Sequence, residues 1–436
     1  MKFIFHGAAK EVGRSCIELT GRKSRVLIDA GIKLSEVGTE FPVGLEDQKK
    51  LKGIDAVFIS HAHLDHTGFL PLLDNRGLKC PIFATEETKE ITGLLLKDAF
   101  KIGRLKHEHL GYEKADIEKA LAWIKNIKID KEGNIKGINF EYFDAGHIPG
   151  SASMIIEIDK KRIFYTGDIN TKDTRLLKGA ETGNIKDIDI MICESTYGDR
   201  DHPARNDEER RFVEEIKSTI ENKGSVIIPV FAVGRAQEVA LIINGLLGEF
   251  INEDNVPIYL DGMAIDATKI IQKYPYSIKS GAELAKSLEN IEFVKGEIQR
   301  ENIIRKSKQV PSIFITTSGM MTGGPVMDYM KSLYNNSKNS VLLTGFQGEH
   351  TNGRMLIEEG NIFIDGWRTK VMCNVKRFDF SAHAGQEELR NLVKKANPIH
   401  IIFVHGDGGP VDEMQKWARE NGFNSYNPNL NEKIEV

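Results

Sequence analysis

Cysteine is scarce in this chain of 436 residues, which holds only Cys16, Cys80, Cys193 and Cys373, and no two of them form a CxxC pair. This spacing excludes a zinc ribbon and a dense disulfide framework, and it favours a reducing, cytoplasmic compartment. The first residues form too short an apolar run for a signal peptide, and no stretch approaches the roughly 18 uncharged apolar residues of a membrane span. We therefore expect an intracellular protein without a membrane segment.

An excess of positive charge is also missing. The chain has 59 Lys and Arg residues against 63 Asp and Glu residues, a formal net charge of −4. Proteins that bind nucleic acid over a large surface are usually basic, so any contact with nucleic acid should be local. The length predicts two or three domains.

Short apolar runs of strand length alternate with helix-like stretches in the first half and predict an α/β layered domain. The strands are predicted at 25–28, 56–59, 140–143, 154–158, 162–165 and 188–192, and the helices at 67–76 and 86–103.

From about residue 200 the alternation indicates a second, Rossmann-like parallel sheet. Its strands are predicted at 225–230, 257–260, 312–317 and 340–344, with helices beginning near Gly234, Ala264 and Gly324. The charged run at 201–211 is typical of a boundary loop. Because a further strand at 399–404 ends in a motif like those of the first half, we expect the second domain to be inserted into the first. The predicted limits are 1–199, 200–375 and 376–436.

The strongest chemical signal is the sequence SHAHLDH at 60–66, which directly follows an apolar strand. Three imidazoles and a carboxylate within six residues are suitable ligands for zinc. Histidine is uncommon in this chain, with 12 in total, so a polar turn with fortuitous histidines is the weaker interpretation. The spacing lets the motif serve two adjacent ions.

Other apolar strands also end in residues that can bind a metal, namely Asp29, His147, Asp168, Glu194 and His405. Taken singly, each is more simply a turn or cap residue. Taken together, they are expected to converge beyond the carboxyl ends of the strands, where α/β sheets bind ligands. The residues therefore predict a dinuclear metal centre.

Six further motifs follow: ESTYGD from Glu194, FAVGRAQE from Phe231, TTSGMMTGGP from Thr316, GFQGEHTNGR from Gly345, SAHAG from Ser381 and VHGD from Val404. With HxHxDH they resemble the β-CASP ribonucleases of the metallo-β-lactamase fold, specifically the archaeal relatives of the cleavage and polyadenylation specificity factor nuclease. The resemblance covers essentially the whole chain. It implies an αββα sandwich with an inserted Rossmann-like β-CASP domain, in the form that lacks N-terminal KH domains.

The resemblance assigns ligands to two zinc ions. His61, His63 and His147 would hold one ion, Asp65, His66 and His405 would hold the other, and Asp168 would bridge them. A water or hydroxide between the ions would be the nucleophile that hydrolyses a phosphodiester. Asp65 is counted among the catalytic residues as well as the ligands.

Three more residues receive roles from the resemblance. Asp29 would orient a ligand histidine, although a simple turn former before Gly31 is the alternative. His383 would protonate the leaving oxygen, and Glu194 would hold that imidazole in its charged form. For His383 the alternative is a buried histidine satisfied by hydrogen bonds.

The inserted motifs also match the RNA-facing surface of the family. The glycine-rich loop at 318–325 follows a strand and precedes a helix, where backbone N–H groups can face a phosphate. Taken singly, each basic candidate is more simply a solvated surface charge. The candidate RNA contacts are Arg235, Ser318, Gly319, Gly323, Arg354, Lys376, Arg377 and Ser381.

The sequence therefore predicts a zinc-dependent ribonuclease that acts on single-stranded RNA in 3′-end processing or decay. A non-catalytic RNA-binding scaffold and a small-molecule hydrolase of the same fold are the alternatives. The resemblance leaves the balance of endonuclease and 5′-to-3′ exonuclease activity open. It also implies a homodimer and a place in an RNA-processing or decay complex.

Overall fold

The structure is a computed structural model that describes residues 1–35, 38–47, 49–182, 185–253 and 255–436. The chain divides into two compact units. The first contains Met1–Asp173, Lys178–Asp201 and Ala382–Val436, and the second contains Thr174–Leu177 and His202–Ser381. All of the predicted insert at 200–375 except residues 200 and 201 lies in the second unit.

Two seven-stranded sheets form the centre of the first unit. The strands of one sheet, in spatial order, are Lys433–Glu435, Lys2–Phe5, Ile17–Thr20, Arg25–Ile28, Ala56–Phe58, Ile82–Ala84 and Ile124–Asn126. Those of the other are Asn424–Tyr426, His400–Val404, Ile190–Glu194, Lys161–Tyr165, Ala152–Ile158, Ile138–Asp144 and Glu132–Ile135.

Side chains on alternate faces of the strands pack into different apolar cores, and this packing produces the layers of the first unit. In Arg25–Ile28, Val26 and Ile28 join an apolar core shared by both sheets, whereas Leu27 packs on the opposite face. That face is covered by the helices Glu86–Leu105 and Lys114–Trp123, and the outer face of the second sheet by Gln386–Ala396 and Gly408–Glu420. Because side chains of a strand point alternately to its two faces, these runs are buried on both sides. The predicted αββα sandwich is confirmed.

The prediction of one helix at 67–76 is wrong. The structure has a single helical turn, Leu64–Thr67, followed by the 3₁₀ turns Leu70–Leu72 and Asp74–Arg76. Pro71 lacks the N–H group that a continuing helix needs, and Gly77 ends the segment in the left-handed region at φ 87°. The short turns still bury Leu70 and Leu72.

The second unit is built on a six-stranded parallel sheet, as predicted for a Rossmann-like domain. Its strands, in spatial order, are Ile291–Phe293, Ile258–Asp261, Ile313–Thr316, Val226–Pro229, Ser340–Leu343 and Asn374–Arg377. Its helices are Arg205–Glu221, Arg235–Glu253, Ala264–Gln272, Gly281–Leu288, Glu297–Ser307, Pro325–Leu333 and Asn352–Glu359.

The boundary loop predicted at 201–211 is largely helical, because the helix already begins at Arg205. Glu208 and Glu209 of this run are buried, and Glu209 is paired with Arg175 and Arg205. Charges that are matched inside the fold look the same in sequence as charges in a solvated loop.

Two small antiparallel hairpins complete the architecture: Lys33–Ser35 with Gly38–Glu40, and Asn361–Ile364 with Trp367–Lys370. Among the residues that the structure describes, no helix has both the length and the apolar character that crossing a bilayer requires.

Candidate metal centre

The HxHxDH motif leaves the end of the strand Ala56–Phe58 and enters the helical turn Leu64–Thr67. Two contacts hold this loop. The backbone N–H of Ser60 donates to Oδ1 of Asp29 at 2.8 Å, and the Thr67 hydroxyl donates to the carbonyls of Ala62 and His63 at 3.0 Å. These contacts fix the loop so that its histidine side chains lie close together.

All seven predicted ligands of the first unit lie together. The ligand atoms of each of two groups lie within 4.8 Å of one another, and Asp168 belongs to both groups. The groups are His61, His63, His147 and Asp168, and Asp65, His66, Asp168 and His405. The structure therefore brings the members of each predicted ligand set together, and their roles as ligands stay a prediction.

Nitrogen atoms crowd together in the first group. Nδ1 of His63 lies 3.1 Å from Nε2 of His61 and 3.2 Å from Nε2 of His147. Zinc–nitrogen bonds of about 2.0 Å in a tetrahedron separate the nitrogens by about 3.3 Å. These three atoms are therefore spaced as ligands of one ion would be.

Unsatisfied atoms mark the second group. Nε2 of His66 and Oδ1 of Asp168 are buried 3.4 Å apart, and neither makes a hydrogen bond within the described part of the chain. Nε2 of His405 lies 3.3 Å from Oδ2 of Asp65. A buried polar atom without a partner is costly, and a cation would satisfy both orphaned atoms. The residues therefore fit a divalent metal ion.

The charges of the site favour the same conclusion. Burial lowers the pKa of His61, His63 and His147, so these imidazoles are neutral and able to bind a metal. Burial alone would also lower the pKa of His66, but nearby carboxylates, Asp168 first, raise it well above its usual value. The negative charges of the carboxylates therefore favour a positive charge in the centre, and a bound metal ion would provide it.

Asp29 contacts the side of the His66 ring that faces away from Asp168. It is fully buried, has a left-handed φ of 56° that aspartate tolerates, and accepts hydrogen bonds from the Ser60 N–H and hydroxyl. Its Oδ2 lies 2.7 Å from Nδ1 of His66, which directs Nε2 of that ring towards Asp168. Asp29 therefore fixes the ring of His66 as well as the turn, and its role in orienting a metal ligand stays a prediction.

His383 and Glu194 form a close pair at the edge of the centre. Nδ1 of His383 lies 3.1 and 3.0 Å from the two carboxylate oxygens of Glu194. Glu194 is buried and also accepts the N–H of Ile169 at 2.7 Å, while the His383 side chain stays one-fifth exposed. Burial lowers the pKa of His383, but the charges of Glu194 and Asp168 and the hydrogen bond to Glu194 outweigh burial and raise the pKa to about 9. These contacts favour the protonated imidazole, and the role of His383 as an acid stays a prediction.

The loop that carries His383 also contacts His147, a predicted ligand of the first group. The carbonyl of Ala382 lies 2.8 Å from Nδ1 of His147, so Nε2 of His147 is the nitrogen that faces His63. One short segment thus carries His383 and also orients a predicted metal ligand.

Comparison with known proteins shows the family. Residues 24–222 match the profile of the Beta-lactamase superfamily domain, residues 236–356 that of the Beta-Casp domain, and residues 368–428 that of the Zn-dependent metallo-hydrolase RNA specificity domain. Probable RNase MJ4 of Methanocaldococcus jannaschii is 42% identical over 438 residues, which cover 100% of both chains. The chain belongs to the β-CASP ribonucleases of the metallo-β-lactamase fold.

Two further relatives of this β-CASP ribonuclease are archaeal. The RNase J-like protein of Methanocaldococcus jannaschii is 39% identical over 92% of each chain. RNase aCSPSF2 of Saccharolobus solfataricus is 34% identical over 92% of this chain and 78% of its own. The resemblance to archaeal relatives of the cleavage-factor nuclease is confirmed, and the His/Asp cluster is the divalent-metal site of the β-CASP chain.

The predicted RNA contacts of the β-CASP chain all lie in the second unit, where several have protein partners. The Ser318 hydroxyl donates to the Gly323 carbonyl at 3.0 Å and closes the glycine-rich loop on itself. Arg354 pairs with Glu358 and Lys376 with Glu215. Arg235 begins the helix Arg235–Glu253, Gly319 lies in the same loop as Ser318, Arg377 ends the edge strand, and Ser381 ends the second unit. Their roles stay predictions.

The roles of two residues beside the metal centre were not predicted from the sequence. Tyr165 is buried, and its hydroxyl donates to Oδ2 of Asp29 at 2.7 Å. The Ser60 hydroxyl donates to the same oxygen at 2.9 Å. The position of Tyr165, three residues before Asp168, is a signal that could have pointed to it.

Proposed function

We propose that this β-CASP ribonuclease hydrolyses phosphodiester bonds of single-stranded RNA with two zinc ions. The observation that carries the proposal is the convergence of seven ligand side chains into two groups that share Asp168. His61, His63, His147 and Asp168 would hold one ion, and Asp65, His66, His405 and Asp168 would hold the other. When bound, two such ions acidify water and stabilise the charge on phosphodiester oxygens.

The protein supplies the proton for the leaving group. Glu194 engages Nδ1 of His383, so His383 would donate its Nε2 proton to the leaving oxygen. The contact of Glu194 with both the imidazole and the Ile169 N–H fixes the ring relative to the strand end that carries Asp168. These contacts support the proposal that His383 is the general acid.

The mode of cleavage follows from the family only in part. One archaeal relative carries the name RNase J-like protein and another the name RNase aCSPSF2. We propose an endonuclease that can also degrade from the 5′ end, working as a homodimer in an RNA-processing or decay complex of the cytoplasm. A circular RNA separates the two activities, because only an endonuclease can open it.

The test combines metal analysis with cleavage. Zinc content and cleavage of a single-stranded RNA are measured for the native chain and for Asp65→Ala and His405→Ala. We expect two zinc ions in the native chain, loss of at least one in each variant, and cleavage reduced to background. Full cleavage by both variants would overturn the mechanism, and a single bound ion in the native chain would overturn the two-metal part.

A further inference from the structure

A tightly folded loop at 7–15 follows the first strand of the chain. Ala8, Lys10 and Arg14 all have a left-handed backbone, at φ 57°, 55° and 42°. Residues other than glycine seldom adopt this conformation, and it persists where the surrounding contacts fix it. Gly7 lies so close to Arg14 that a Cβ atom would be 1.8 Å from the Arg14 carbonyl oxygen. The loop therefore depends on contacts that hold its backbone in place.

The backbone of this loop contacts two predicted ligands of the second group. The Ser15 N–H donates to the carbonyl of Asp65 at 2.7 Å, and the Ala8 carbonyl accepts the N–H of His405 at 2.8 Å. Asp65 and His405 are 340 residues apart in the chain, yet Oδ2 of one lies 3.3 Å from Nε2 of the other. One loop thus contacts the backbone of both residues.

His405 has an unusual backbone that is held from both sides. Its φ is 50°, in the left-handed region. Its N–H is bonded to Ala8, and its carbonyl accepts the Ser195 N–H at 3.2 Å and the Thr196 hydroxyl at 3.1 Å. Because residues other than glycine seldom adopt this conformation, loss of the Ala8 contact would let His405 relax.

The third histidine or carboxylate particular to the second group, His66, is linked to the loop through side chains. The Ser15 hydroxyl lies 3.2 Å from the hydroxyl of Tyr165. Tyr165 donates to Asp29, and Asp29 contacts Nδ1 of His66, both at 2.7 Å. The loop therefore reaches all three residues that belong to the second group alone.

Other segments hold the predicted ligands of the first group. The Ser60 hydroxyl lies 3.1 Å from Nδ1 of His61. The Ser151 hydroxyl accepts the backbone N–H of His147 at 3.2 Å. Neither serine belongs to the loop at 7–15, so the two predicted ion sites are supported by different parts of the chain.

A buried ion pair holds the loop together. Nε and Nη2 of Arg14 donate to the two carboxylate oxygens of Glu11 at 2.6 and 3.0 Å, and both residues are buried. Lys33 donates to Glu11 at 3.1 Å, and Nη1 of Arg14 lies 3.2 Å from a carboxylate oxygen of Glu40. Bidentate pairs between arginine and a carboxylate are strong and geometrically specific. The pair therefore restricts the loop to one backbone conformation.

We propose that Glu11 and Arg14 are positioning residues for the second metal site. Their ion pair fixes the loop at 7–15, whose backbone contacts place Asp65 and His405 as ligands. This inference rests on the proposed function, because it requires two ions. Groups that orient metal ligands commonly change metal affinity by about 10- to 100-fold when they are removed.

A general contribution to stability is the alternative role for the pair. Removing one partner of a buried ion pair destabilises a fold, because the other charge is left buried and unpaired. Both predicted ion sites lie in the first unit, so general destabilisation would weaken both together. A positioning role instead predicts a loss confined to the second ion.

The test titrates zinc into the metal-free full chain. Calorimetry measures the affinities, and inductively coupled plasma mass spectrometry counts the ions that stay bound. The native chain should bind two ions. Glu11→Gln keeps the shape of the side chain and removes its charge, so it should weaken one ion by about 10- to 100-fold and leave the other unchanged.

Double variants identify which ion is weakened. His63→Ala removes a ligand of the first group alone, and Asp65→Ala removes one of the second alone. Added to His63→Ala, the Glu11→Gln change should weaken the one remaining ion, whereas added to Asp65→Ala it should leave the remaining ion unchanged. Excess zinc should restore the second ion in Glu11→Gln but not in Asp65→Ala, since a positioning residue is not itself a ligand.

Glu18→Gln is the matched control. Glu18 is a buried carboxylate of the first unit that accepts two hydrogen bonds from Arg25, at 2.8 and 2.7 Å. This variant should be less stable and should keep both ions at native affinity. Arg14→Lys serves if Glu11→Gln does not fold. Lysine keeps the charge but lacks the bidentate fork, so the second ion should weaken by a smaller factor.

Three outcomes would overturn the inference. The first is native affinity for both ions in Glu11→Gln and Arg14→Lys. The second is an equal loss of both ions, and the third is loss of the second ion in Glu18→Gln as well, since each indicates general destabilisation. If the native chain binds two ions in all of these cases, the positioning role alone fails. A native chain that binds fewer than two ions would overturn the two-metal proposal itself.

Discussion

The hydroxyl of Tyr165 donates a 2.7 Å hydrogen bond to Oδ2 of Asp29, the oxygen that also lies 2.7 Å from Nδ1 of His66. All three side chains are buried. The contact fixes the carboxylate, the carboxylate fixes the imidazole, and Nε2 of His66 is left facing Asp168. A tyrosine in the sandwich core thereby positions a predicted metal ligand without touching the metal site itself.

Removing the Tyr165 hydroxyl should therefore weaken metal binding. We expect Tyr165→Phe to lower the affinity for zinc at the site containing His66 by about tenfold, the lower end of the effect of losing a group that orients a ligand. Competition with a chromophoric chelator measures it. Tyr142→Phe is the control, because Tyr142 is equally buried but its hydroxyl donates to the Phe83 carbonyl. An equal effect in both variants would mean that core packing, and not Asp29, is responsible.

The acid and its carboxylate should be separable from metal binding. We expect His383→Ala to lower the cleavage rate by about 10² to 10⁴, the usual contribution of a general acid, with zinc content near normal. Glu194→Gln, which keeps the shape but removes the charge, should lower the rate by about tenfold or more through loss of the protonated imidazole. His109→Ala, at an exposed position, is the control. Loss of zinc from His383→Ala would identify a ligand instead of an acid.

The strands of the fold were predictable where consecutive residues are apolar. The run at 25–28 is a strand with those limits, because Val26, Leu27 and Ile28 are apolar and both faces of the strand are covered. The segment at 67–76 misled because Leu70 and Leu72 suit a helix, while Pro71 and Gly77 divide it into turns. The apolar residue types predicted which side chains are buried. The backbone conformation was not predicted, because it depends on Pro71 and Gly77.

The metal site was predictable for a different reason. All seven predicted ligands lie close to one another in sequence or end apolar strands, so their residue types are visible as a pattern. The Tyr165–Asp29 contact was not visible, because it joins positions 136 residues apart and a tyrosine in a strand looks like any core residue.

Chelation should destabilise the first unit. A metal ion that binds only the folded chain adds about 2.7 kcal/mol to the free energy of unfolding when its free concentration is 100 times its dissociation constant. We expect the melting temperature measured by calorimetry to fall by several degrees on chelation and to recover with zinc. Asp168→Ala removes the residue shared by both ligand groups and should abolish the shift, whereas His383→Ala should retain it. A native chain that melts identically with and without chelator would contradict a bound metal.

Acid should weaken the fold through Glu18. Burial alone would raise the pKa of this carboxyl, but hydrogen bonds and charge from His6 and Arg25 outweigh burial and lower it to about 2. A carboxylate whose pKa is lower in the folded chain stabilises the fold fully above its unfolded value of about 4.5 and loses that contribution as the pH falls towards 2. The contribution should be on the order of 2 kcal/mol at neutral pH.

Glu18→Gln should therefore be less stable than the native chain above pH 5, and the difference should shrink as the pH falls below 4.5. Urea unfolding of the metal-free chains at several pH values measures it, which keeps the release of metal by acid out of the comparison. Glu420→Gln changes an exposed carboxylate at the end of the helix Gly408–Glu420 and should leave stability within about 0.5 kcal/mol at every pH. A difference for Glu18→Gln that stays constant from pH 7 to 3 would mean that the side chain acts by packing, since loss of a buried ion pair must vanish when the carboxyl is protonated.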